Sequence, residues 1–71
     1  MMATITQATT LEARQHGNTM RYLFRFTLDN GEVHERRAWV PVGTDEAEER
    51  TYRGNLCLEE QAAAEIEQVL G

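Results

Sequence analysis

Thr19-Met20-Arg21-Tyr22-Leu23-Phe24-Arg25-Phe26-Thr27-Leu28, followed at once by Asp29-Asn30-Gly31-Glu32, is the stretch on which the fold turns. Met20, Tyr22, Phe24, Phe26 and Leu28 alternate with Thr19, Arg21, Leu23, Arg25 and Thr27. That period of two predicts a half-buried strand, because successive side chains of an extended backbone point to opposite faces. Tyrosine, phenylalanine and threonine are also the residue types that fit a pleated surface. The even positions hold three of the five aromatic residues of the chain, so this strand is expected to carry the core.

Asn30-Gly31 between two such runs signals a hairpin, since both residue types tolerate positive φ. A third segment of strand then covers about Val33 to Val40, and two registers compete for it. A two-residue turn pairs Leu28 with Val33 and Tyr22 with Trp39, but sets Glu35 and Arg37 toward the core. A three-residue loop with a glycine bulge places Arg25 opposite Glu35, a favourable cross-strand charge pair, and sends Ala38, Val40 and Val42 inward. The bulged loop is the preferred reading. A slip of one residue turns every side chain over, so the register decides whether Trp39 is buried.

Upstream, Ala3 to Arg14 is rich in threonine, with Ile5 and Leu11 on one parity, and reads as a first strand. Gln15-His16-Gly17-Asn18 supplies the turn. Downstream, Pro41-Val42-Gly43 ends the sheet, because proline cannot donate to a ladder. Thr44 or Asp45 can cap a helix whose acidic first turn suits the positive end of the helix dipole. Gly54-Asn55 is expected to interrupt it, leaving a short helical turn before a longer helix from Leu56 to Leu70. There Leu58, Ala62, Ile66, Val69 and Leu70 form one apolar stripe. A sheet with one apolar face and a helix with one apolar stripe bury each other. The predicted architecture is α+β: a three-stranded antiparallel meander followed by a C-terminal helix packed on one sheet face, a single domain over residues 1–71.

Composition narrows the classes of function. Seventy-one residues leave little core to spend on a shielded pocket, which argues against an enzyme. The lone Cys57 forms no internal disulfide, and the N-terminus lacks the basic and apolar regions of a signal peptide. No apolar run approaches the roughly 20 residues that span a bilayer, so a cytoplasmic, non-membrane location is expected. All seven basic residues are arginine. This suits carboxylate and phosphate forks, but coding bias in a GC-rich genome is the preferred account. Net charge is −5, unevenly spread. Residues 1–43 carry five arginines against four acids, and residues 44–71 carry Arg50 and Arg53 against eight acids. A general nucleic-acid footprint would be basic, so nucleic acid is an unfavoured partner.

Motifs for chemistry are missing. One cysteine with His16 and His34 gives no zinc spacing, the glycines match no phosphate loop, and no metal or cofactor is expected. Cys57, at the start of the longer predicted helix, is read as packing rather than as a nucleophile activated by the helix dipole.

Two surfaces stand out instead. The outer sheet face offers Arg21, Leu23 and Arg25, joined by Arg36 or Arg37 and by Trp39 according to register; arginine and tryptophan beside apolar surface is hot-spot composition. The second is acidic: Asp45, Glu46, Glu48, Glu49, Glu59, Glu60 and Glu67, which could imitate nucleic-acid charge and block a basic groove on a partner. A third reading has the arginines and Trp39 hold single-stranded nucleic acid weakly. The uncovered face and open edges of so small a sheet lead us to expect a homodimer. A short, lysine-free chain of strands and an acidic helix without catalytic motifs resembles the small accessory proteins of phages and prophages. The function expected from all this is a small non-catalytic protein-interaction module, with the acidic inhibitor as its alternative.

Overall fold

A computed structural model of the chain describes the backbone of residues 3–70 and the side chains of residues 3–67. Strands β1 (Ile5–His16), β2 (Thr19–Leu28) and β3 (Val33–Pro41) form one antiparallel sheet in the order β1-β2-β3, and helix α1 (Glu46–Leu70) follows. The expected β-β-β-α fold is thus observed, with the most apolar strand in the centre. The molecule measures 44 × 23 × 15 Å, the thickness of one sheet with one helix laid on it.

The preferred register holds. Arg25 lies opposite Glu35 and Tyr22 opposite Ala38. Gly31 donates to the carbonyl of Leu28 at 3.0 Å, and the Leu28 amide donates to Glu32 at 2.8 Å. The loop is therefore Asp29-Asn30-Gly31, with Gly31 at φ 87° closing it as a bulge. Phe24 and Phe26 are fully buried, with Tyr22, Leu28, Ala38 and Val40 around them, whereas Trp39 is 61% exposed. Val42 lies beyond the strand and is exposed, because its chain already turns toward the helix through Gly43 at φ 100°.

Two expectations need correction. In β1 the turn is only Gly17-Asn18, so the strand runs on through Gln15 and His16. Its pairing shifts between Ile5 and Gln7 and again between Thr10 and Glu12. Each bulge inserts a residue and reverses the parity, so Ile5 shares the inner face but Leu11 does not and is exposed. The helix is also unbroken. A Cβ on Gly54 would stand 2.8 Å from Ile5 Cδ1 and 3.2 Å from Phe26 Cε1. Gly54 is thus a point of close approach between helix and sheet, not a breaker. The short separate turn before the last helix is absent.

That approach sets the rotation of the helix. Gly54 and Cys57 are buried against the sheet, with Arg50, Arg53 and Gln61 half-buried beside them at helical spacing. Leu58 and Ala62 sit on the flank, half-buried, and Ile66 is exposed. The expected stripe is therefore turned away from the core centre; Val69 and Leu70 have side chains outside the described residues. Asp45 caps the helix by accepting the Glu48 amide at 2.9 Å. Among the described residues no helix is long and apolar enough to cross a membrane.

Candidate interaction surface

Register fixes which side chains share the outer face. Arg14 lies opposite Arg21 and Arg21 opposite Trp39; Glu12 faces Leu23 and Leu23 faces Arg37; Thr9 faces Arg25 and Arg25 faces Glu35. No element of the described chain covers this face, because the helix lies on the other one. Arg21, Leu23, Arg25, Arg37 and Trp39 are thus brought together as expected. Arg36 is not. It stands opposite Phe24 on the inner face, donates to Glu60 of the helix at 2.8 Å and ties β3 to α1. Its neighbour Arg37 is the one turned outward, since alternation puts consecutive residues on opposite faces.

The two ends of this surface differ. At one end Arg25 gives Nε and Nη2 to a single oxygen of Glu35, at 3.1 and 2.9 Å, so its charge is matched locally. At the other end the Arg21 guanidinium lies 4.1 Å from the centroid of the Trp39 ring. An exposed stack of this kind is worth about 0.5–1 kcal/mol, which biases the indole toward this orientation before anything binds. Among the described residues Arg14, Arg21 and Arg37 make no ion pair. Leu23 is half-buried among them. Sequence reading did not include Arg14 here, because the parity of β1 is hidden by its bulges.

The acidic residues are less free. Asp45 is spent on the cap, and Glu46 accepts from Arg50 at 3.2 Å and from Thr10 at 3.1 Å. Glu49 holds Arg53 at 2.6 Å, and Glu60 holds Arg36. Glu48, Glu59 and Glu67 remain exposed without an ion pair among the described residues. The acids thus brace the helix against itself and the sheet more than they form one continuous field.

Cys57 lies in the middle of the helix rather than at its start, fully buried. Burial pushes its thiol above the ordinary range; Arg36 opposes this, and Glu60 and Glu32 add to it. A thiol so placed is a small apolar filler, not an activated nucleophile. The Nε2 atom of His34 is buried without a hydrogen bond, 3.5 Å from Glu32 Oε2. The cleft between the β2–β3 loop and the helix, beside Asn30, Glu32 and Leu58, encloses about 10 Å³, room for no more than a water molecule. A wider depression of about 430 Å³, broadly open to solvent, lies on the helix beside Ala47, Glu48, Thr51, Tyr52 and Asn55.

Comparison with protein-family models, with curated proteins and with solved structures finds no match.

Proposed function

We propose that the protein is a non-catalytic interaction module whose outer sheet face docks onto an acidic surface of a protein partner. The observation that carries this is the exposed Trp39 held under Arg21, with Arg14 and Arg37 beside it and no carboxylate paired to any of the three among the described residues. A partner carboxylate in this position meets a forked donor that is already oriented. The indole supplies apolar area at little cost in side-chain entropy. The reading assumes a reducing compartment such as the cytoplasm, where a small domain with one buried thiol keeps it reduced.

The test is differential capture from the native cell lysate by wild type and by the Arg14→Glu/Arg21→Glu double variant. Both sites are solvent-facing, so the fold should persist, checked by circular dichroism. A polypeptide held by wild type and lost by the variant is the expected result. Identical captured sets defeat the proposal. The same arginines and indole favour one second reading, single-stranded nucleic acid stacked on Trp39. Quenching of Trp39 fluorescence by an oligonucleotide at low salt, with affinity falling steeply as salt rises, would support it over the first.

A further inference from the structure

Hydrogen bonding in the β2–β3 ladder assigns every backbone group of β3 to one side or the other. The Leu28 amide donates to the Glu32 carbonyl and the Val42 amide to the Asn18 carbonyl, at 2.8 and 2.9 Å, at the two ends of one continuous register. Even-numbered residues of β3 therefore bond to β2. The N–H and C=O groups of Val33, Glu35, Arg37 and Trp39 point off the open edge of the sheet. Sequence order leaves two edges, but only one is fit to pair. β1 is bulged twice, which blunts an edge, whereas β3 is regular until Pro41, where the missing N–H falls on the outward side.

The outward residues read the same way chemically from both ends. A two-fold axis through Arg36 sets Glu35 opposite Arg37 of a second copy, Arg37 opposite its Glu35, and Val33 opposite its Trp39. These are the positions at which both strands direct their free backbone groups toward each other. Neighbouring registers are poorer: an axis at Arg37 sets that arginine, which has no ion pair among the described residues, against itself, and one at Glu35 sets glutamate against glutamate and leaves Arg37 opposite Val33. The charges also fit the monomer. Both Arg25 hydrogen bonds use Glu35 Oε2, which leaves Oε1 for the second copy. Val33 and Trp39, 54% and 61% exposed, gain apolar contact.

From this self-complementary edge we propose that two copies join through β3, antiparallel and centred on Arg36, into one six-stranded sheet with both helices on the same side. Arg36 meets its symmetry mate on the inner face, where each guanidinium stays on its own Glu60. Its second bond, from Nη1 to the Glu35 carbonyl at 2.8 Å, gives way to the Arg37 amide of the other copy. The dimer draws on Arg37 and Trp39, which the partner reading also names. It is tested at Glu35, Arg37 and the edge amides, and the partner reading at Arg14 and Arg21, so the two can fail separately.

The experiment is sedimentation velocity over a concentration series, on wild type, Glu35→Arg, Arg37→Glu and an equimolar mixture of the two variants, each checked for folding by circular dichroism. Wild type dimerises in the expected result. Each variant alone opposes like charges at both symmetric pairs and loses roughly tenfold to a hundredfold in self-affinity. The mixture restores the dimer, because all-arginine and all-glutamate edges complement each other. Hydrogen exchange on wild type supplies a second reading that needs no mutation: the amides of Val33, Glu35, Arg37 and Trp39 slow together as concentration rises. A wild type that stays monomeric throughout, a dimer whose strength neither variant changes, or a dimer that leaves those amides exchanging freely overturns the proposal.

Discussion

The two faces of β2 are made by the same ten residues, yet they are held by different physics. On the even face Phe24 and Phe26 are wholly removed from water, with Tyr22 stacked on Phe24 at 5.3 Å between centroids. On the odd face Arg21 and Arg25 stay in solvent and are positioned by a ring and a carboxylate. The inner face stabilises because apolar area leaves water, at about 25 cal/mol per Å². The outer face contributes little, since exposed ion pairs are worth about 0–1 kcal/mol. Residues that contribute little to stability are free to serve something else, which is why the proposed binding falls on the outer face.

Substitutions can break or sharpen that contrast. The largest loss is expected from Phe24→Ala, about 3–5 kcal/mol, read by urea denaturation. In so small a domain this approaches the whole stability. Gly54→Val is next, at about 1–3 kcal/mol, because its side chain must enter the contact with Ile5 and Phe26. Gly54→Ala should fall much nearer zero, since the better helix propensity of alanine, about 1 kcal/mol, offsets a smaller clash. Gly31→Ala forces an L side chain to φ 87° and should cost about 1–2 kcal/mol, visible as a lowered Tm. Arg25→Ala is expected to cost no more than about 1 kcal/mol. Trp39→Ala should leave the midpoint of unfolding nearly unchanged at concentrations too low for self-association, while removing partner capture; a large stability loss there would erase the distinction between the faces.

How much of this was legible depends on how each segment is encoded. β2 reads directly because its alternation is strict, and Asn30-Gly31 with Arg25 and Glu35 favours one register over the other. β1 reads as a strand, but its faces do not, because threonine and alanine sit comfortably on either face and two bulges leave no trace in such a pattern. Gly54 misleads for a sharper reason: glycine weakens a helix locally, but here its missing side chain is what lets the helix touch Ile5 and Phe26. The apolar stripe from Leu58 to Ile66 misleads with it, because the helix turns Gly54 and Cys57, not its largest side chains, toward the sheet. Among the site residues, Arg21, Leu23, Arg25, Arg37 and Trp39 follow from alternation once the register is fixed. Arg36 and Arg37 are separable only by that register, and Arg14 only by the bulges.

The single sulfhydryl has a use for the experimenter. Cys57 lies at the seam between helix and sheet, shut off from solvent, and its raised pKa keeps the thiolate scarce. A thiol reagent added to the native protein must wait for the helix to lift away, so the labelling rate counts openings of that seam. The molecule carries its own clock.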